Sequence, residues 1–353
     1  MSTYYEFYIG LLILSLLVYI VQRNLRSKFY LILTGSVLIL FSGLRADYVG
    51  TDTPTYHRIF DVINFTNSSV FNATKQAGIQ KGIEVGYLFL NRLVYFFKGD
   101  FHVFIFIVAF ITVFGFLYYV YTYSPNYLMS IYIYIGMGYY FLSFNINRQF
   151  LGTAIAYLGI AKIEKRWQSL IIIIIGGLMH SSAFLILPIW FLTQLKQSKF
   201  IHNSLIISIL LLIVPVYFLF LRILGDSLKY NMYISEGGSA IGFLNVSMLL
   251  FMIILYIVFL KNFDYTSRVD YIVSYSFMFA IIFLFFSIIN HTFGRLQYVY
   301  MPMMMVDVPY IISHTPLKKY SFLVSLLFIL IGFETLNSIP NNDGYGIVPY
   351  GIN

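Results

Sequence analysis

Residues 168–195, QSLIIIIIGGLMHSSAFLILPIWFLTQL, decide how this chain is laid out. Between Leu170 and Leu192 the tract is apolar, and it is interrupted only near its middle, at Gly176, Gly177, His180, Ser181 and Ser182. A helix needs about 20 residues to cross about 30 Å of hydrocarbon. The tract is long for one crossing and short for two. Basic residues flank both ends: Lys162, Lys165 and Arg166 before it, Lys196 and Lys199 after it. A helical hairpin turning near Gly177–Ser182 returns the chain to the face it left and keeps both basic ends cytoplasmic. It also leaves Lys261, Arg268, Lys318 and Lys319 inside, as positive residues near span ends require. His180 then stands at the apex of two half-helices, about 18 Å above the cytoplasmic end. The alternative is one tilted helix, with His180 a buried hydrogen-bonding residue.

The rest of the chain has the same character. Of 353 residues 59% are hydrophobic and 10% charged, with a mean hydropathy of +0.81. A soluble domain carries about 25% charged residues, so a soluble enzyme is excluded. Apolar tracts fall at 7–22, 28–44, 101–123, 126–143, 148–163, 203–222, 241–260, 270–290, 296–312 and 320–337. In lipid the backbone must satisfy its own hydrogen bonds, so these tracts are helices. The expectation is an all-α polytopic membrane protein of about 10–12 transmembrane helices, one membrane domain over 1–353. No small-residue cleavage site follows the first apolar run, and Glu6 precedes it, so no cleavable leader is expected. The chain has no cysteine, which removes disulfides, thiolate zinc sites and cysteine nucleophiles.

The net charge of +8 reads as topology, not nucleic-acid binding. With the hairpin, the inside charge is mostly lysine, whereas Arg45, Arg58, Arg92, Arg148, Arg222 and Arg295 fall outside, with Lys229 among the external lysines. Guanidinium forks grip phosphate and carboxylate bidentately. The external segment 45–100 forms a cap on the membrane portion. It combines Arg45, Asp47, Asp52, Tyr56, His57 and Arg58 with turn formers, continues through a polar loop at 64–78, and ends in an apolar stretch at 82–98 carrying Glu84, Tyr87 and Arg92. Further polar groups sit at outer helix ends: Asn145, Asn147, Arg148 and Gln149, then Asn290, His291, Arg295, Gln297, Tyr298 and Tyr300. Ionisable residues near hydrocarbon are functional candidates. His57, His102, His202, His291 and His314 lack a neighbouring ligand pattern, and no HExxH, GxSxG, Walker A or GxGxxG motif occurs.

Gly43-Leu44-Arg45, Gly50-Thr51-Asp52, Tyr56, Glu84-Val85-Gly86-Tyr87, Asn147-Arg148-Gln149, Met179-His180-Ser181-Ser182, Phe293-Gly294-Arg295-Leu296-Gln297-Tyr298 and Pro349-Tyr350 occur in this order. Together they resemble the EpsG/Wzy-type polysaccharide polymerases over nearly the whole chain. The resemblance implies a fold of the GT-C kind at the outer face of the bacterial inner membrane. It implies a glycosyltransferase that moves a growing glycan from undecaprenyl diphosphate onto the terminal sugar of a new lipid-linked unit. Its implied partners are these lipid-linked glycans, membrane lipid and a chain-length regulator protein, with no nucleic acid and no cofactor.

Within that implied reaction, Arg148 and Arg295 are assigned to the diphosphate with Arg45 assisting, placing fixed positive charge where the leaving oxygen develops its own. Asn147, Gln149 and Gln297 hydrogen-bond phosphate or sugar, Arg58 adds positive charge, and Tyr56, Tyr87 and Tyr298 orient or stack on sugars. An imidazole titrates near pH 6.5, so His180 is the first candidate for general base, followed by Asp52 and then Glu84. Direct attack on the anomeric carbon inverts it. A cation held by Asp47 and Asp52 is an open alternative to the metal-free route. A glycan ligase, a lipid-linked sugar flippase and a membrane acyltransferase remain as rivals. A flippase predicts polar residues through the midplane and internal repeats, and no repeat is found.

Overall fold

The computed structural model describes residues 2–25, 27–65, 83–196, 198–225, 243–290, 293–339 and 346–352. Most of the polar loop at 64–78, together with Lys229 and His291, lies outside the described residues, as does the side chain of Arg222. The described residues form helices and no strand, so the protein is all-α and, by its apolar helices, a polytopic membrane protein. Among the described residues four helices are long and apolar enough to cross a membrane: Ser2–Gln22, Phe101–Tyr123, Arg268–Ile289 and Pro316–Ser338. Tyr127–Gly136 and Tyr139–Asn145, inclined at 47°, make a fifth if they are one span. The remaining apolar helices are shorter.

The chain divides into two compact units, Met1–Ile186 with Phe322–Asn353, and Leu187–Ser321. The first unit contains α1 (Ser2–Gln22), α2 (Lys28–Gly43), α3 (Thr53–Phe65), α4 (Val85–Phe96), α5 (Phe101–Tyr123), α6 (Tyr127–Gly136), α7 (Tyr139–Asn145), α8 (Asn147–Ala161) and α9 (Arg166–Met179). A 3-10 turn over Ser181–Ile186 follows α9. The second unit contains α10 (Leu187–Gln194), α11 (Lys199–Gly225), α12 (Phe243–Lys261), α13 (Arg268–Ile289), α14 (Gly294–Gln297) and α15 (Met304–Ser313). The last helix, α16 (Ser321–Ser338), belongs to the first unit but for its first residue.

In the first unit α1 buries Tyr4, Tyr8, Leu11, Ser15 and Val18, a stripe at helical spacing. Its other face exposes Ile9, Ile13, Leu16, Leu17 and Ile20, side chains suited to lipid. The residues of α7 are buried all round, as are nearly all of α6 and α8. The apolar tract at 126–143 is therefore not one straight rod. It breaks at Gly138, whose φ of 76° is a left-handed conformation that favours glycine. The expected span at 296–312 is likewise interrupted, passing through α14 and a 3-10 turn at Met301–Met303 before α15. Pro302, which lacks an N–H, sits at the start of that turn.

Small residues set the crossing of α8 and α9. A Cβ on Gly152 would meet the Gly176 carbonyl oxygen at 2.8 Å, and one on Gly176 would meet the Gly152 oxygen at 2.6 Å. Ser169 donates to the Gly159 carbonyl at 2.7 Å across the same seam. Backbones approach this closely in membrane helices where side chains are absent or short. After Met179 the helical path stops at His180, whose N–H still bonds to the Gly176 carbonyl at 3.0 Å. The helix thus ends within the stretch Gly177–Ser182.

Candidate functional site

Three segments far apart in sequence converge in the first unit. Glu84 is the N-cap residue of α4, Arg148 lies in the first turn of α8, and His180 with Ser181 follows α9. Arg148 Nη1 lies 3.4 Å from Glu84 Oε2. The Ser181 N–H donates to Glu84 Oε1 at 3.0 Å. His180 Nδ1 is held by Ser182, with the hydroxyl at 2.8 Å and the Ser182 N–H donating to it at 3.3 Å. Close packing brings these parts together: a Cβ on Gly152 would also meet His180 Cβ at 3.1 Å, and one on Gly86 the Leu178 carbonyl oxygen at 2.7 Å.

Burial pushes the Glu84 carboxyl up, but the Arg148 guanidinium, the Ser181 N–H and His180 outweigh it and leave the group below its ordinary range. Glu84 is thus held as an anion, a weak base and a strong counter-ion. Above it, the Arg148 guanidinium lies 5.8 Å from the centre of the Tyr87 ring, and the Tyr56 ring is 6.0 Å from that ring. The fully buried Tyr87 phenol feels the charge of both Arg148 and Arg45. Among the described residues its hydroxyl has no hydrogen-bond partner, and neither do the two side-chain polar atoms of Asn147, a residue 2% exposed. Buried polar atoms left unpaired are costly, and here they border a carboxylate–guanidinium pair.

The junction between α7 and α8 organises the second part of the site. Asn145 Oδ1 accepts from the Thr51 hydroxyl at 2.7 Å and from the Asp52 N–H at 2.9 Å. Arg45 is buried, donates to the Ser42 and Phe144 carbonyls, and lies 5.0 Å from the centre of the Phe144 ring. The chain beyond α16 braces this loop: the Ala46 N–H bonds to Gly351 O and the Gly50 N–H to Gly346 O, each at 2.8 Å. Tyr350 stacks on Phe41 at 4.3 Å between ring centres and donates to the Phe41 carbonyl at 2.7 Å.

Of the residues singled out in the sequence, Arg45, Asp52, Tyr56, Glu84, Tyr87, Asn147, Arg148, Gln149 and His180 all belong to the first unit, on the elements just described. Arg58 does not share the surroundings of Tyr56. It faces the other side of α3, into an open cleft. Arg295, Gln297 and Tyr298 belong to the second unit, where Gln297 accepts from the Ser287 hydroxyl at 3.0 Å and Arg295 acts electrostatically on Tyr298. Among the described residues no three His, Asp or Glu side chains are placed to hold a metal ion.

Sequence reading named Asp47 and His57 without joining them, and it passed over Asp61 and Asp307. Asp47, His57 and Asp61 form a contact chain, with Nδ1 of His57 3.2 Å from Asp47 and Nε2 3.8 Å from Asp61. The i,i+4 spacing of His57 and Asp61 was the available signal. In the second unit Asp307 is fully buried and accepts from the Ser276 hydroxyl at 2.8 Å. An aspartate within an apolar tract was itself the signal there.

A family model described as the EpsG family matches residues 28–352, most of the chain. No curated protein and no solved structure matches this chain.

Proposed function

The chain belongs to the EpsG family, and on that premise we propose that it is a glycosyltransferase that polymerises lipid-linked oligosaccharide repeat units at the outer face of the inner membrane. Membership supports a polysaccharide-polymerase role in general. The donor in this reading is a glycan on undecaprenyl diphosphate, and the acceptor is the terminal sugar of a second lipid-linked unit.

One observation carries the assignment of the site: the Arg148 guanidinium and the Ser181 N–H, next in the chain to His180, both meet the Glu84 carboxylate and so join three separate segments. Arg148 stands in the first turn of α8, where the positive end of the helix dipole adds to its own charge. It receives the diphosphate, and Arg45 assists from the far side of the α7–α8 junction. Glu84, held as an anion, orients Arg148 and fixes the Ser181 backbone. That leaves His180 as the base. In the neutral ring Nδ1, which accepts from the Ser182 N–H, bears the lone pair. The proton of the acceptor hydroxyl goes to Nδ1 in place of the Ser182 hydroxyl contact, and the freed oxygen attacks the anomeric carbon while the carbon–oxygen bond to phosphate breaks. Undecaprenyl diphosphate departs with the bonding electrons, and the anomeric centre is inverted. Asp52 is the second candidate for base. Asn147 and the Tyr87 hydroxyl offer unpaired donors and acceptors to sugar or phosphate, Gln149 adds an amide beside them, and Tyr56 orients the sugar.

The test is the polymer ladder made in cells. Arg148→Ala and His180→Ala, accumulating at wild-type level, are expected to leave single repeat units and no ladder. A full ladder from both overturns this assignment. Arg295→Ala belongs in the same experiment, since loss of polymer there gives the second unit a part in the reaction.

A further inference from the structure

Helix α3 is two-faced. Tyr56, Ile59, Phe60 and Ile63 are buried. Pro54, His57, Arg58 and Asp61 instead line an open cleft of about 410 Å³ together with Asp47 and Tyr48 from the preceding loop. That volume lies within the range of small-molecule sites. The wall of the cleft is built, not incidental. The His57 ring lies flat on Phe101, with ring centres 4.3 Å apart and planes 3° apart, and its two nitrogens face Asp47 and Asp61. The carboxylates keep 41% and 49% of their surface exposed, and Tyr48 is 54% exposed.

We infer that this cleft binds the glycan part of the lipid-linked substrate, a neutral or amino-bearing sugar, and not its diphosphate. Each carboxylate has acceptor capacity beyond its contact with His57, so adjacent hydroxyls of one sugar ring can donate to it. Arg58 supplies the complementary donors, and the face of Tyr48 offers apolar area to the C–H side of a ring. With two carboxylates against the one guanidinium of Arg58, the charge of the cleft disfavours a phosphate. The inference rests on the polymerase reading and divides the substrate: diphosphate to Arg148, sugar to α3. Arg58, first assigned to the substrate by its charge, keeps a binding role with a different chemical partner.

The probe is the host's own polymer, cut to short oligosaccharides and freed of lipid, titrated against the full-length protein in nanodiscs. Wild type is expected to bind it. Tyr48→Ala and Asp61→Asn are expected to weaken binding about tenfold and to shorten the polymer made in cells without abolishing it, with Asp61→Glu recovering most of both. Tyr48 is exposed and Asp61 half-exposed, so the variants should fold, which their size-exclusion profiles check. Wild-type affinity and chain length in both variants, with Arg148→Ala still abolishing polymer, overturn the cleft as a glycan site and leave the polymerase reading standing. A full ladder from Arg148→Ala strikes at that reading instead.

Discussion

Glu84 and Arg148 are 16% and 19% exposed, and each carries part of the other's burial. Glu84→Ala leaves Arg148 without its counter-ion and is expected to cost about 2 kcal/mol, read as a lower melting temperature in detergent. The pair also sets a pH dependence. The folded carboxyl sits below its ordinary value of 4.5, so the unfolded chain binds the proton first as pH falls. The stabilisation is therefore complete above pH 4.5 and is lost as pH drops through the folded value below it. Melting curves between pH 7 and pH 3 should show wild type losing its advantage over Glu84→Gln in that lower window. At this scale the sequence was informative where charge alone made the case: Arg45 and Arg148 stand out against apolar surroundings. It ranked Glu84 only third as a base and could not show its contact with the backbone N–H of Ser181, nearly a hundred positions away. Nor could it separate Arg58 from Tyr56, two positions apart on one helix but on different faces.

Helices in this protein are placed by what they lack. The α8–α9 seam closes on Gly152 and Gly176, and each has the other's carbonyl where a methyl group would go. Gly152→Ala should destabilise the fold by about 1–3 kcal/mol and displace His180. Gly10→Ala on α1, where a Cβ meets nothing within 4 Å, should be neutral or stabilising by up to about 1 kcal/mol. Thermal melts of the two variants in the same detergent decide between these outcomes. Hydropathy located most of these elements and the interruption at His180, because length and local polarity mark them. It ran through the break at Gly138 and the turn at Met301–Met303 because it counts apolar side chains and is blind to backbone conformation. Glycine and proline within those tracts were the physical clue.

Across the whole molecule the all-α class was readable from composition alone, since lipid permits little else. The division into two units was not, because no linker or change of composition marks Ile186. The brace on the Arg45 loop is a property of the entire first unit. Tyr350→Ala removes a stacked ring and a hydrogen bond to Phe41 and should cost about 2 kcal/mol. Truncation after Ile339 removes every backbone bond from Gly346 and Gly351 to the loop. It should reduce the polymer ladder while the protein still accumulates in the membrane, and an undiminished ladder would show that the brace is dispensable.

That brace has a consequence for assembly. Tyr350 and Phe41 stand 309 positions apart, and helices enter a bilayer in the order in which they are made. α2 is laid down early, yet the turn that carries its buried arginine cannot settle until the segment that clasps it has emerged and travelled back. Such distant pairing is slow because its entropic cost is met before any contact rewards it. The cation beside Phe144 is thus among the last features of the protein to find its place, and a half-inserted chain carries that turn still unclasped.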